Sequence, residues 1–303
     1  MSHVLKPALL AAAACAVLAS PAALAAKPRL PQIDLGDPQG VMQANRKIQC
    51  STQDNLPITY WWHGDMFSRV QGERDRLLFK VQGMNIRQCA TVTDPEKGTG
   101  YKMVSREILL YLDPQSGEVA RSWKNPWTGE EVKVLHVAND PVNFTAWPVG
   151  RDGKPVQWTG TIHGNRWWNT NTFPLFYQNP LGGDYQKYVG GFYHATEMFN
   201  FLGDVDSLRD PRRHTADVQV GWVRVSSWLP WMEMSGRGGE VYFHTAGVKL
   251  ASFDDLPAVM KDEIAANYPA YVAPPPTDDA RPNETSWTYF KKQVQPQAGG
   301  GGH

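Results

Sequence analysis

Apolar positions recur with a period of two along most of this chain. Residues 101–112 carry the pattern furthest: Val104, Arg106, Ile108, Leu110 and Leu112 share one parity, and Tyr101, Met103, Ser105, Glu107, Leu109 and Tyr111 the other. Strand side chains alternate between faces, so this is a strand with both faces largely apolar and covered. Each face also holds one charge, Arg106 or Glu107, and a charge on a covered face needs a partner. The same reading predicts strands at 59–63, 76–82 (with Gly83 as a bend), 86–92, 118–123, 130–137, 156–163, 166–170 and 240–250. Asp113-Pro-Gln-Ser-Gly117 and Asn125-Pro-Trp-Thr-Gly129 read as turns, and 139–143 as a tight loop. Helices are predicted over 40–47, 192–202 and 256–267, the last with Leu256, Val259, Met260 and Ile264 as its buried stripe. Residues 173–189, rich in Pro, Gly and Tyr, read as a covering loop.

The ends fall outside this pattern. Residues 1–25 have a short start carrying Lys6, an apolar run over 8–19 and Ala23-Leu24-Ala25 as a cleavage site, the layout of a secretory signal. Cys15 lies within that run. An irregular segment over 26–57 with four prolines, a β-rich domain over 58–292 and a disordered tail over 293–303 complete the expected organisation. No later run approaches a membrane span. The expected product is exported, periplasmic or secreted. In an oxidising compartment Cys50 and Cys89 are suited to a disulfide, worth roughly 3–4 kcal/mol by loop entropy, against the alternative of two buried free thiols.

Charge and composition narrow the function. Thirty Lys and Arg balance 30 Asp and Glu, which argues against a nucleic-acid surface. Twelve Trp in 303 residues point to a ligand cavity or a broad sheet core. The stretch 222–234 gathers Trp222, Trp228, Trp231 and two Met around one carboxylate, Glu233, with Val218, Val220 and Arg224 on the parity of Trp222. Such a carboxylate is exposed, paired or shifted in pKa. His136 shares a face with Val132 and Val134. His194 and Glu197 would sit together on the expected helix, but no further ligand pair accompanies them, so no metal site is expected. No nucleophile elbow, phosphate loop or dinucleotide fingerprint appears, and no cofactor is expected.

Several motifs resemble the bacterial and fungal family known as domain of unknown function 1838. They are Ser105-Arg-Glu107, Tyr111-Leu-Asp-Pro114 with Gly117-Glu118, Asn125-Pro-Trp-Thr-Gly-Glu130, His136 with Asn139-Asp-Pro-Val142, Trp228-Leu-Pro-Trp-Met-Glu-Met234 and Arg281-Pro-Asn-Glu-Thr-Ser-Trp-Thr-Tyr-Phe-Lys291. The resemblance implies a mainly β, antiparallel, barrel-like domain of the calycin or lipocalin sort with two or three short helices, and no reaction. The residues themselves support a cofactor-independent enzyme of lyase, isomerase or hydratase type, working by proton transfer on a small aromatic or polycyclic apolar molecule. His136 or Glu233 would move the proton and Arg106 would stabilise the developing oxyanion, with Glu107 beside them. Trp61, His63, Asn143, Trp222, Trp228, Trp231, Asn283 and Glu284 would hold the substrate. A lipocalin-like carrier of a hydrophobic small molecule, or an envelope protein with a solid core, are the alternatives.

Overall fold

The structure is a computed structural model that describes residues 31–177 and 193–294. The expected signal segment, residues 178–189 of the expected covering loop and residues 295–303 of the tail lie outside the described residues. Twelve strands are described: β1 (Ile58–Arg69), β2 (Arg76–Asp94), β3 (Gly98–Leu112), β4 (Ser122–Lys124), β5 (Glu131–Lys133), β6 (Val137–Asn139), β7 (Phe144–Ala146), β8 (Thr161–His163), β9 (Arg166–Tyr177), β10 (Tyr193–Asp204), β11 (Gln219–Ser227) and β12 (Glu240–Leu250). The helices are α1 (Pro38–Gln49), α2 (Val205–Arg209), α3 (Ala258–Asn267) and α4 (Ser286–Val294). The chain is thus mainly β, with one more helix than expected among the described residues.

Ten strands form one antiparallel sheet in the order β6-β3-β2-β1-β12-β11-β10-β9-β8, with β7 also pairing with β3. β4 and β5 form a separate hairpin around the Asn125–Gly129 turn. Laid flat, β3 and β9 would be about 29 Å apart at ~4.8 Å per ladder step. Yet residues of both line one cavity of about 400 Å³. The sheet therefore curls around that cavity. It does not close: the β6–β7 side and β8 make no ladder with one another among the described residues. The expected barrel is accordingly an open, curled sheet. Its terminal strands β6, β7 and β8 are only three residues long, and the concave side is filled by α4 and the turn at Leu229–Trp231.

Both faces of β3 are covered, as its two apolar parities require. On the outer face Met84, Ile86, Ile108 and Leu110 pack against Leu256, Met260 and Ile264 at α3. On the inner face Leu109 and Tyr111 join Phe79, Trp222, Trp231 and Phe243. A third cluster docks α1 on the sheet through Met42, Ala44 and Ile48 against Tyr60, Met103 and Val220. Asp37 caps α1 by accepting from the Gly40 N–H at 2.9 Å, and Pro38 starts it. The buried Lys47 ammonium donates to the carbonyls of Ser207, Leu208 and Asp210 at 2.7–2.8 Å, filling the open end of α2 with a cation.

Three local expectations are corrected. Residues 193–204 form strand β10, not a helix: the helix-forming Ala195, Glu197 and Met198 lie in a ladder paired on both sides, with β9 and β11. β2 runs through Gly83 without a break. The return strand at 118–123 shrinks to a bridge at Val119 and the start of β4. Among the described residues no helix is long and apolar enough to cross a membrane.

Cys50, at the end of α1, is bonded to Cys89 in β2 across 39 residues, and both are fully buried. Replacing both by Ala should lower unfolding stability by about 4 kcal/mol on the loop-entropy estimate. Urea titration of the double variant against the oxidised protein measures it, and an unchanged midpoint would show that the bridge adds nothing.

Candidate functional site

The concave face is built from one parity of each strand. β1 contributes Tyr60 and Trp62, β11 contributes Val220 and Trp222, and β10 contributes Phe199 and Phe201. Phe243 of β12 and Leu109 and Tyr111 of β3 continue the wall. Trp62 meets Trp222 edge-on at 6.4 Å, and Trp222 lies 5.3 Å from Phe243. Trp62 can lie on the sheet because its ladder neighbours on both sides are glycines, Gly83 and Gly247. A Cβ on Gly83 would come within 2.1 Å of the Trp62 ring. That contact, rather than a bend, is what the glycine serves.

Into this apolar wall the ladder sets three cross-strand polar pairs. Asn85 stands opposite Glu107 between β2 and β3, and its amide favours the charged form of that carboxyl. Arg87 stands opposite Ser105 on the same ladder. Glu197 stands opposite Arg224 between β10 and β11, joined by a 2.8 Å ion pair. The other arm of Arg224 donates to the Tyr193 hydroxyl at 2.8 Å. Arg87 donates through Nε to Asn85 Oδ1 at 2.7 Å and through Nη1 to Gln49 Oε1 at 2.8 Å, and lies 4.8 Å from the Tyr60 ring centre.

The environment shifts the Glu107 carboxyl. Burial pushes the Glu107 carboxyl up to about 7, the facing Glu197 adds to the rise, and Arg87, Arg224 and Asn85 oppose it. Glu107 is half-buried by area, and the surface it keeps faces the cavity. Burial works against charge on Arg224, but Tyr193, Glu197 and Tyr111 outweigh it and raise its pKa. Burial lowers that of Arg87, with Tyr60, Glu107 and Tyr101 in partial opposition. Glu197 is thus tied to a permanent cation, while Glu107 is a carboxyl balanced between its two forms near neutral pH. A group so balanced can give or take a proton.

The structure brings together only some of the residues expected from sequence. Glu107, His136, Trp222 and Trp231 line the cavity. His136 is a wall residue: its ring stacks on Tyr111 at 5.9 Å, and its Nδ1 accepts the Tyr111 backbone N–H at 3.1 Å. Burial pushes its pKa down to about 4, so the neutral ring carries its proton on Nε2. Arg106 points to the opposite face, where it pairs with Asp140 at 3.1 Å and donates to the carbonyls of Ala270 and Ala273. Glu233 is exposed, because the 3₁₀ turn Pro230–Met232 ends there with a left-handed φ of 54°.

Trp61 and His63 stack on each other at 4.9 Å on the outer parity of β1, leaving the cavity to Trp62. Trp228 packs on Trp127 at 5.0 Å, outside the cavity lining. Asn143 and Asn283 exchange two 2.8 Å hydrogen bonds, and Glu284 accepts from Lys292 and from the Asp140 N–H. These last three therefore fasten the 140–143 loop to the C-terminal segment, and that segment delivers Ser286, Tyr289 and Phe290 of α4 to the cavity. His194 and Glu197 have opposite parity on β10, so they cannot share a ligand. Among the described residues no cluster of His, Cys, Asp and Glu could hold a metal.

Sequence reading missed Asn85, Arg87, Glu197 and Arg224 as a group. Their signal is positional: each falls on the same parity as cavity-lining aromatic or aliphatic residues of its own or the neighbouring strand. It becomes visible only once the ladder register is known.

Opposite pH slopes follow from the two shifted groups. Glu107 has a folded pKa near 7 against an ordinary 4.5, so its contribution to stability is complete below about pH 4.5 and is lost as the pH rises through about 7. His136 has a folded pKa near 4 against 6.5, so its contribution is complete above about 6.5 and is lost as the pH falls through about 4. Glu107→Gln should therefore gain stability relative to wild type between pH 5 and 7.5. Paired urea titrations at those two values check it, and a pH-independent difference would refute the shift.

A model of the family described as protein of unknown function (DUF1838) matches residues 55–294. No curated protein matches the chain. The match takes in every described strand and three of the four described helices, so the chain belongs to the DUF1838 family.

Proposed function

We propose that this chain is an exported, cofactor-independent enzyme that moves a proton on a small aromatic or polycyclic molecule, in a lyase, isomerase or hydratase reaction. The observation that carries the reading is Glu107: a carboxyl poised near neutrality, facing a fixed Glu197–Arg224 pair inside an aromatic cavity of about 400 Å³. Trp62, Trp222 and Trp231 hold the flat apolar part of the substrate. Glu107 exchanges the proton with a substrate carbon or oxygen. Arg224, held by Glu197 and Tyr193, supplies fixed positive charge for an oxyanion that develops as the proton leaves. The Cys50–Cys89 disulfide supports an oxidising destination, periplasmic or extracellular.

A carrier of the same kind of molecule is the second reading. It is favoured by one observation, that Glu197 and Arg224 already neutralise each other's charge, so the pair would serve as structure alone.

Hydrogen exchange separates the two without a known product. Aromatic and terpenoid carbonyl compounds that quench the cavity tryptophans are incubated with the protein in D₂O, and mass spectrometry follows deuterium entering the ligand. The enzyme reading expects incorporation by wild type, a loss of roughly a hundredfold or more in Glu107→Gln, and an unchanged rate in Glu233→Gln, whose carboxylate is outside. Binding without any exchange would establish the carrier, and exchange that persists in Glu107→Gln would remove Glu107 from the chemistry.

A further inference from the structure

The charges around the cavity do not cancel. Glu197 and Arg224 neutralise one another in a 2.8 Å pair. Arg87 has no such counterpart: among the described residues no carboxylate forms an ion pair with it. Its hydrogen-bond partners are the neutral side chains of Asn85 and Gln49, and the ring of Tyr60 lies beside it. Its Nη2 makes no hydrogen bond among the described residues, although Arg87 lines the cavity.

Several elements pack around Arg87. β3 brings Ser105 and Glu107, and α1 brings Gln49. From β12 comes Lys249, an amine 5.4 Å from the same Tyr60 ring, whose Nζ donates to Lys47 O at 2.6 Å and Thr215 Oγ1 at 3.0 Å. Glu107 is the sole carboxylate among the charges felt by Arg87, and at or below neutral pH much of it is protonated. A guanidinium stays charged throughout. A half-buried cation with neutral partners and an open donor at a cavity wall is an anion site in want of its anion.

Resting on the reading of this cavity as a ligand site, we propose that its ligand is an anion: an aromatic or polycyclic molecule bearing a carboxylate or equivalent oxyanion, received by Arg87 at the Gln49–Tyr60 end of the cavity. The flat body lies against Trp62 and Trp222, and the charged group takes the place of the counterion that the protein itself withholds. Occupancy also acts on Glu107: a second negative charge nearby favours its protonated form, so binding the anion loads the proton donor. The ligand's affinity should consequently fall as the pH rises through about 7, where Glu107 ionises and competes for Arg87.

The test uses a matched pair of probes, 2-naphthoate and its neutral amide 2-naphthamide, titrated into the full mature protein at pH 6 and pH 8 by calorimetry and tryptophan quenching. The expected result is a preference of about tenfold or more for naphthoate at pH 6. That preference should be reduced at pH 8, pH-independent in Glu107→Gln, and lost in Arg87→Gln with naphthamide binding retained. Circular dichroism checks that Arg87→Gln folds, and the wild-type comparison decides the matter if it does not. Equal binding of the two probes by wild type, or a preference that survives in Arg87→Gln, overturns the anion site but leaves the ligand cavity standing. Binding of neither probe at millimolar concentration removes the ligand cavity, and this inference with it.

Discussion

The curl of the sheet is the constraint on which the site depends. Glu107 and Glu197 belong to strands five ladder steps apart, about 24 Å in a flat sheet, where neither would affect the other. Curling makes Glu197 the second-largest influence on Glu107, after burial itself. The curl in turn needs a concave side filled with large rings and a convex side held by α3. Glycine at 83 and 247 lets Trp62 lie down on the sheet rather than stand up from it. The hydrophobic burial that stabilises the fold and the encounter of the charged groups thus have one cause, and a change that flattened the sheet would remove both.

Keeping two arginines and two acidic side chains on that concave face is costly in stability. Buried ion pairs seldom outperform well-packed apolar residues of the same volume, and the wall around them shows that this fold can supply such residues. The two arginines are handled differently. Arg224 is tied down by Glu197 and Tyr193, as a purely structural cation would be. Arg87 is oriented by amide oxygens that fix its direction without cancelling its charge. Orientation without neutralisation is poor design for stability and good design for receiving a charged ligand.

Much of the architecture was legible from residue pattern. The double parity of 101–112 required two covered faces, and α3 on one side and the cavity on the other provide them. The turn at Asp113 and the α3 stripe of Met260 and Ile264 were also readable, whereas Trp222 and Trp231 left a cavity and a solid core equally open. Illegible were the features set by pairing. Residues 193–204 hold good helix formers, and only their two flanking strands make them β10. In 59–63 the sequence offers two aromatic parities, Trp61 with His63 and Tyr60 with Trp62, and nothing local says which faces inward. Arg106 and Glu107 posed the same question, and choosing both put one of them on the wrong side. Glu233 looked enclosed because its neighbours in sequence are apolar, but a left-handed residue at the end of a 3₁₀ turn carries its side chain away from them.

The polar motif near the C-terminus then acquires a different meaning. Arg281, Asn283 and Glu284 act on the 140–143 loop: Arg281 donates to the Asp140 carboxylate at 2.7 Å, Asn283 holds Asn143, and Glu284 accepts from the Asp140 N–H. The loop they hold is the one whose Val142 carbonyl accepts from Ser105, directly across the ladder from Arg87. The same segment lays α4 over the cavity through Tyr289 and Phe290. Asn143, Asn283 and Glu284, which sequence reading assigned to the ligand, thus act on the walls of the cavity: they fasten the loop that meets Ser105 and the segment that carries α4.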